Sequence, residues 1–202
     1  GNYYCFGNSF YAIGAGEYWF NDAKIGGTVG PDGKVMKAGF YTVNADCTIK
    51  FEEPKNGIYE EDGKLIYYVQ GKTSTAGLFK IDGDYYNVYW GGVIKTSGKF
   101  YVSITHCDRP VGEYEFGADG KMLQGIVEKD GTLYYYENGV TGTCGLIEYE
   151  GDYYFINDYN KLAKNGKLYL GESFVKGFTD ANGNPLKPGL YAFDADGKMI
   201  LN

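Results

Sequence analysis

Short apolar runs alternate with glycine-containing turns along the whole chain. Asp-Gly occurs six times and Asn-Gly four times in the sequence. Both dipeptides tolerate the positive φ angles that tight hairpin turns require, and the runs that flank them are rich in Tyr, Val, Ile and Phe. The pattern therefore predicts antiparallel β-hairpins. The clearest examples are Ile58–Glu61 with Leu65–Val69 around Asp62-Gly63, and Ile126–Lys129 with Thr132–Tyr136 around Asp130-Gly131.

Helical periodicity is weak throughout the sequence. No glycine-free stretch of about 12 residues carries apolar residues at the helical period. Residues 157–162 could form one helical turn, but Asn165-Gly166 just beyond them favours a β-turn instead. We therefore expect an all-β fold with essentially no helix.

Three types of unit recur in a fixed order. A long unit opens with Gly-Asn-Tyr-Tyr or Gly-Asp-Tyr-Tyr, and a second aromatic strand follows sixteen residues later. The openings and second strands begin at residues 1 and 17, 83 and 99, and 151 and 167. A second unit, which contains an Ala-Asp turn, begins at Gly39, Gly112 and Gly189. A third unit is a 20-residue hairpin at 57–76 and again at 125–144.

These repeats predict one continuous array over residues 1–202. Its approximate units are 1–38, 39–56, 57–76, 77–111, 112–124, 125–144, 145–188 and 189–202. The segment that leads into the long unit at 77–82 and 145–150 has no counterpart before Gly1. We therefore expect the chain to be a fragment of a longer protein with more repeats upstream.

Stacking of the hairpins follows from their small size. A lone hairpin is only marginally stable in water, so neighbouring hairpins are expected to share cores. The predicted architecture is thus a tandem array of β-hairpins, stacked into a solenoid-like or elongated multi-sheet array. Tyrosine contributes 22 of the 202 residues. Because adjacent strand residues face opposite sides, one ring of each Tyr-Tyr pair is expected to pack inward and the other outward.

The 20-residue unit resembles the cell-wall-binding repeat of Gram-positive surface proteins, a family that includes choline-binding modules and glucan- and toxin-type repeats. The matching residues are Gly57, Asp62-Gly63, Tyr67-Tyr68 and Ala76, then Gly125, Asp130-Gly131, Tyr134-Tyr135 and Cys144. The openings of the long unit match as well, at Gly77, Asp82-Gly83 and Tyr85-Tyr86, and at Gly145, Glu150-Gly151 and Tyr153-Tyr154. The resemblance implies a secreted or cell-surface bacterial protein. It also implies a cell-wall polymer, a glycan or a host protein as partner.

One departure from this family concerns choline. The family's choline site needs aromatic rings, including a Trp after the first Gly, because a quaternary ammonium is held by cation–π attraction. This chain carries aliphatic residues at those positions, namely Ile58, Leu78, Ile126 and Leu146. Its two tryptophans, Trp19 and Trp90, lie elsewhere. We therefore predict that a choline site of the family type is absent.

Charge and hydropathy exclude two classes of partner. The 19 basic and 26 acidic residues give a net charge of −7, so attraction to nucleic acid is not expected. No apolar run approaches the roughly 18 residues of a membrane-spanning helix, so membrane insertion is not expected either.

Catalytic and metal-binding motifs are not found in the sequence. His106, the single histidine, adjoins Cys107 and Asp108, but neighbours on a strand face opposite ways and do not form a triad. The oxygen-rich segment 180–184 lacks the spacing of a calcium loop and fits a hairpin turn better. We expect no enzyme activity, no cofactor and no metal site.

The four cysteines leave two interpretations open. Their spacing fits neither a CxxC pair nor a zinc site. Two disulfides are compatible with the even number, although free or buried thiols are the preferred interpretation. The residues are Cys5, Cys47, Cys107 and Cys144.

Two functions fit these patterns. The first is a non-catalytic extracellular module for cell-wall association or spacing. The second is an adhesin-type module that binds a glycan or a host protein through exposed aromatic rings. Exposure of several rings in one patch would favour adhesion, whereas burial of all would favour a spacer. The candidate ligand-binding residues are Tyr18, Trp19, Tyr85, Tyr86, Trp90, Tyr153 and Tyr154.

Overall fold

The computed structural model describes residues 14–25, 27–30, 33–50 and 54–201. The chain divides into two compact units, Gly1–Lys95 with Ser103–Pro110, and Thr96–Val102 with Val111–Asn202. The first opening of the long unit, at Gly1, and Cys5 lie outside the described residues. The predicted single array over residues 1–202, and its solenoid-like or elongated stacking, stay predictions.

Among its described residues, the first unit contains three small antiparallel sheets. Their order is β1–β2, β3–β4–β5 and β6–β7. The strands are β1 (Gly16–Phe20), β2 (Gly39–Val43), β3 (Gly57–Glu61), β4 (Lys64–Val69), β5 (Lys72–Thr73), β6 (Gly77–Ile81) and β7 (Asp84–Val88). A one-turn helix, α1 (Asp22–Ile25), follows β1, and a 3-10 turn at Trp90–Gly92 follows β7.

The second unit repeats this plan with four sheets. Their order is β8–β9, β10–β11–β12, β13–β14 and β15–β16–β17. The strands are β8 (Gly98–Val102), β9 (Gly112–Phe116), β10 (Gly125–Lys129), β11 (Thr132–Glu137), β12 (Val140–Thr141), β13 (Gly145–Tyr149), β14 (Asp152–Ile156), β15 (Gly166–Leu170), β16 (Gly189–Phe193) and β17 (Met199–Ile200). A second one-turn helix, α2 (Glu172–Val175), follows β15.

The all-β prediction is confirmed, because almost all regular structure consists of antiparallel hairpins. The two helices are single turns, too short to produce a helical period in the sequence. Residues 157–162 form a turn, in which the Asn160 amide donates to the Asn157 carbonyl at 3.0 Å. Within the described residues, no helix has the length and hydropathy needed to cross a bilayer.

The hairpin turns adopt the backbone that their dipeptides predict. Asp62 and Gly63 have φ angles of 49° and 70°, and Asp130 and Gly131 have 49° and 72°. Positive φ at both central residues matches the right-handed twist of the flanking strands. The resulting registers place Gly57 opposite Tyr68, and Gly125 opposite Tyr136.

Several small apolar clusters are formed between neighbouring hairpins. In the second unit, strand β14 supplies two of them from alternate residues. Phe155 packs in a cluster with Leu146 and Leu170, whereas Tyr154 and Ile156 pack in another. Because successive side chains point to opposite faces, a single hairpin joins two cores. This arrangement gives the hairpins the shared burial that their small size requires.

Candidate ligand-binding surface

Two of the seven predicted ligand-binding rings are buried. Tyr86 and Tyr154 occupy equivalent positions in β7 and β14, and both point into apolar clusters. In β7, Tyr86 and Val88 are buried on the same face, as strand alternation requires. These two rings contribute to packing and offer little surface to a ligand.

Three predicted rings are half-buried against neighbouring side chains. Tyr18 packs on the cluster around Phe20. Tyr153 meets Phe178 edge-on, with ring centroids 5.4 Å apart. Lys80 and Arg109 lie over the ring of Tyr85, and the Tyr85 hydroxyl donates a hydrogen bond to Asp108. The outward rings of the pairs Tyr85-Tyr86 and Tyr153-Tyr154 are therefore largely covered by other side chains of the protein.

The two predicted tryptophans are exposed. Trp19 lies opposite Phe40 on the neighbouring strand, and their rings meet edge-on at 5.1 Å. Trp90 is 70% exposed in the turn that follows β7. The indole of Trp90 is the most exposed of the seven candidate side chains.

Strand alternation identifies two exposed rings that were missed from the sequence. Tyr101 and Tyr169 are 68% and 65% exposed, and they occupy the position in β8 and β15 that Trp19 occupies in β1. Each precedes the buried residue that ends its strand, which is Val102 or Leu170. The signal was available, because the residue before an inward-facing strand end must face outward.

The turn that carries Trp90 has an equivalent in the next copy of the long unit. Tyr89 donates its amide to the Val93 carbonyl at 2.6 Å, and Asn157 donates to Lys161 at 2.8 Å. This second turn carries Tyr159, which is 80% exposed. Equivalent strands and equivalent turns therefore each present an aromatic ring to solvent.

The positions that hold tryptophan in choline-binding repeats are packed into the protein. Leu78 and Leu146 are buried, while Ile58 and Ile126 are half-buried against apolar clusters. Aliphatic side chains at these positions have no ring face to offer a cation. All four side chains contribute to packing between hairpins.

Several tyrosine faces already hold a lysine of the chain. The Lys55 ammonium lies 5.0 Å from the Tyr68 ring centroid, and the Lys129 ammonium lies 4.6 Å from that of Tyr136. Similar contacts join Lys72 to Phe40 and Lys95 to Tyr89. These four rings therefore already interact with a cation of the protein itself.

Lys129 belongs to a polar cluster of the second unit that also includes Glu115 and Tyr136. It donates to Glu115 and to the Tyr136 hydroxyl, and that hydroxyl donates to Glu115 at 2.8 Å. Burial by itself raises the pKa of Glu115, but the hydrogen bonds from Lys129 and Tyr136 outweigh it, so the pKa lies below its ordinary value. Burial likewise lowers the pKa of Lys129, yet hydrogen bonds to Glu115 and Tyr136 bring it above its ordinary value. The cluster is therefore a stabilised ion pair with a tyrosine bridge.

The residues around His106 are engaged separately. The His106 ring stacks on Phe79 at 4.4 Å, and its Nε2 lies 3.2 Å from the Ala76 carbonyl. Asp108 accepts a hydrogen bond from the Tyr85 hydroxyl at 2.7 Å. Cys107 is a half-buried free thiol. These contacts fix the segment Ser103–Pro110 against β6 and β7.

The described side chains offer neither a metal site nor a disulfide. Among the residues that the structure describes, His, Cys, Asp and Glu side chains form no cluster of three suited to a metal ion. Cys47, Cys107 and Cys144 are free thiols. In the segment 180–184, Asp180 accepts from the amides of Asn182 and Asn184 at 2.9 and 2.8 Å, as in the predicted turn.

No protein-family model matches this sequence, and a search of curated proteins finds no match. Solved structures to which the chain is similar include choline binding protein F of Streptococcus pneumoniae, in the presence of a peptidoglycan analogue. The identity is 20%, the TM-score is 0.47, and the alignment covers 98% of this chain and 61% of that one.

Two further similar structures are also from Streptococcus pneumoniae. CbpJ is 18% identical with a TM-score of 0.45, over 93% of this chain and 58% of that one. The modular autolysin LytC is 14% identical with a TM-score of 0.46, over 97% of this chain and 45% of that one. This chain thus spans less than two thirds of the length of these proteins. The resemblance to choline-binding-type repeats that the sequence shows recurs among solved structures.

Proposed function

We propose that this chain is a non-catalytic extracellular module that associates with a cell-wall polymer or another glycan through exposed aromatic rings. The observation that carries the proposal is the exposure of aromatic rings at repeat-equivalent positions. Tyr101 and Tyr169 present them from the same position of equivalent strands. Trp90 and Tyr159 are exposed at different positions of two equivalent turns.

The repeated placement of these rings separates them from ordinary surface residues. Single exposed apolar side chains are common on proteins and need no explanation. Here the same outward strand position is aromatic in all three long units, at Trp19, Tyr101 and Tyr169. A polymer with a repeating unit is a suitable partner, because several weak contacts along one chain add up to useful affinity.

Glycan stacking explains these rings better than choline capture. A choline site needs several ring faces around one cation, but the positions that supply them in the resembling family are aliphatic and packed. Lys55 and Lys129 cover further tyrosine rings from within the protein. Tyr101 and Tyr169 remain exposed, and an amphipathic ring can stack on the apolar face of a sugar.

A spacer without a ligand is the second candidate. It is favoured by the burial of Tyr86 and Tyr154, because these rings serve the cores between hairpins. An adhesive module could bind a host protein through the same exposed rings, instead of a glycan. The following experiment separates these possibilities.

The test is retention of the chain on purified Gram-positive cell walls, immobilised glycans including peptidoglycan fragments, choline resin and a host-glycoprotein panel. We expect saturable retention on walls or one glycan. Replacing Tyr101 and Tyr169 together by Ala should weaken it about 30-fold, since truncating each exposed ring removes about 1 kcal/mol of binding free energy. Replacing both by Phe keeps the ring faces and should preserve most of the binding.

The matched control is Val140→Ala, which shortens an exposed aliphatic side chain of the same unit and should leave retention unchanged. Equal binding by the double Ala variant and the parent chain would remove these rings from the site. Retention on choline resin would contradict the absence of a choline site. Retention on none of the four supports would favour the spacer.

A further inference from the structure

Two cationic side chains meet at the ring of Tyr85 in the first unit. The Lys80 ammonium lies 5.1 Å from the Tyr85 ring centroid, and the Arg109 guanidinium carbon lies 4.9 Å from it. Lys80 is the cross-strand partner of Tyr85 in the pair β6–β7, and Arg109 belongs to the segment Ser103–Pro110 of the same unit. Arg109 is the single arginine of the sequence. We call these three residues, together with Asp108, the Tyr85 cluster.

Neither cation of the Tyr85 cluster has a carboxylate partner. Within the part of the chain that the structure describes, Lys80 and Arg109 form no ion pair and donate no hydrogen bond. The Arg109 Nε is buried and has no acceptor among these residues. Other lysines of this acidic chain do pair with a carboxylate, namely Lys55, Lys99, Lys129 and Lys198. The Tyr85 cluster thus holds two positive charges whose N–H donors the protein leaves unused.

Asp108, the acidic member of the cluster, is bound by the tyrosine instead. The Tyr85 hydroxyl donates to Asp108 Oδ1 at 2.7 Å. This hydrogen bond is the main reason why the pKa of Asp108 lies below its ordinary value, and the positive charges of Lys80 and Arg109 lower it further. The cluster therefore has an excess of positive charge, although the whole chain has a net charge of −7.

The equivalent hairpin of the second unit shows that packing alone does not need these cations. There Tyr153 corresponds to Tyr85, and its cross-strand partner is Glu148 in place of Lys80. The ring that contacts Tyr153 is Phe178, edge-on at 5.4 Å. An uncharged side chain is thus sufficient to cover this tyrosine, so the paired cations of the first unit point to a ligand.

We infer that the Tyr85 cluster binds an oxyanion, a carboxylate or a phosphate group, carried by a sugar. Arg109 supplies directional N–H donors, since a guanidinium fork matches both groups, and Lys80 adds a second positive charge. Arg109 is half-buried and Lys80 is exposed, so a ligand reaches the cluster from solvent. For the sugar we rely on the proposed function, whereas the oxyanion follows from the charges of the cluster itself.

A single oxyanion fits this site better than a polyanion does. The field of the cluster extends about 8 Å at physiological ionic strength, which is enough for one bound group. A long polyanion would also meet the carboxylates that give the chain its net charge of −7. The expected ligand is therefore a largely neutral glycan with an isolated acidic substituent.

The single arginine provides a direct probe of binding, because the chain has only one arginine Nε–Hε resonance in a nitrogen-15 NMR spectrum. The chain is titrated with glucuronate, with glucose 6-phosphate and with glucose as their neutral analogue. We expect a saturable shift of the Arg109 resonance with at least one sugar acid, at a dissociation constant on the order of 1–10 mM. Glucose at the same concentration should cause none. A response to only one of the two acids identifies the oxyanion as carboxylate or phosphate.

Variants test the two cations separately. Lys80→Glu introduces the residue type found at the equivalent Glu148, so it should fold, and the reversed charge should weaken binding about tenfold. The matched control is Lys24→Glu, which makes the same change of net charge at an exposed position of α1 and should not alter the affinity. Arg109→Lys keeps the charge but loses the guanidinium fork, so binding should weaken about threefold, measured at the backbone amide of residue 109.

Three outcomes would overturn the inference. They are the lack of a saturable shift with either sugar acid, an equal shift with glucose, and equal affinities of Lys80→Glu and the parent chain. Replacing Tyr101 and Tyr169 by Ala should leave the Arg109 response intact, because these rings lie outside the cluster. A chain that binds sugar acids at Arg109 but is retained on no wall or glycan support would contradict the proposed function alone.

Discussion

At the level of single residues, the two 20-residue hairpins carry the same polar cluster with the charges exchanged. Tyr68 and Tyr136 are equivalent, and each hydroxyl donates to a carboxylate. In the first hairpin the acid, Glu61, lies within the hairpin and the base, Lys55, lies before it; in the second, the base is Lys129 and the acid is Glu115. Each cluster therefore pairs one acidic with one basic side chain, and either of the two can be the one within the hairpin.

Acid should weaken the second cluster. The pKa of Glu115 is lower in the folded chain than its unfolded value of about 4.3, so its contribution is present above that pH and is lost as the pH falls through the folded pKa. We expect Glu115→Gln to reduce the free energy of unfolding at pH 7 by about 1 kcal/mol. The variant should also lose less stability than the parent chain between pH 5 and pH 3 (roughly the range of carboxylate titration). Urea unfolding at several pH values measures both effects.

Glu128→Gln is the matched control for this prediction, because Glu128 is an exposed carboxylate on the neighbouring position of β10. It should leave the free energy of unfolding close to that of the parent. The same cluster should also weaken at alkaline pH. The pKa of Lys129 is raised in the folded chain, so its contribution to stability is lost as the pH rises through that folded pKa. Identical acid profiles for Glu115→Gln and the parent would show that this cluster does not contribute.

At the level of elements, two glycines allow the cost of a strained backbone to be distinguished from the cost of steric crowding. Gly131 and Gly139 have nearly equal φ angles of 72° and 75°, and each lies in a turn of the second hairpin. An added Cβ meets nothing within 4 Å at Gly131, but it lies 2.6 Å from Met122 Cγ at Gly139. We expect Gly131→Ala to cost about 1 kcal/mol from the left-handed backbone alone. Gly139→Ala should cost about 1–3 kcal/mol more, because it also disturbs packing.

Urea unfolding of the two alanine variants measures this difference. A double variant, Gly139→Ala with Met122→Ala, provides the internal control, since removal of the methionine side chain relieves the contact. Its cost relative to Met122→Ala should fall towards that of Gly131→Ala. Equal costs for the two single variants would mean that the second turn is not held against Met122.

The same elements show which features the sequence could predict. The turns at Asp62-Gly63 and Asp130-Gly131 require a local backbone that their residue types specify, so the hairpins and their registers were predictable. The one-turn helices were not, because four residues leave no period to detect. The engagement of His106 with Phe79 was equally hidden, since it joins segments distant in sequence.

The candidate rings were predictable only in part. Residue type marked Trp19 and Trp90 as candidates, and both are exposed in the structure. Residue type could not distinguish Tyr85 from Tyr86, because the face that each occupies depends on its position along the strand. Tyr101 and Tyr169 could have been found by counting back from the buried ends of β8 and β15.

In the molecule as a whole, the core is divided into small clusters. This division determines which strands a cavity-forming mutation should destabilise. Leu170 is fully buried in the cluster that includes Leu146 and Phe155. Leu162 is buried in the cluster that includes Ile156 on the opposite face of β14. Repeat proteins derive their stability from each unit and its nearest neighbours, so a cavity should act mainly on its own cluster.

Leu170→Ala should therefore destabilise the second unit unevenly. Removing this side chain should cost about 2–5 kcal/mol, because the lost burial is accompanied by a cavity. We expect hydrogen exchange to accelerate most in β15 and β16, less in β14, and least in β10, which contributes nothing to the Leu170 cluster. Leu162→Ala, in the other cluster, should instead have its larger effect in β11 and β14 and its smaller effect in β15 and β16. Equal acceleration in every strand of the unit for both variants would mean that its clusters unfold as one cooperative core, and the repeat description of its stability would then be wrong.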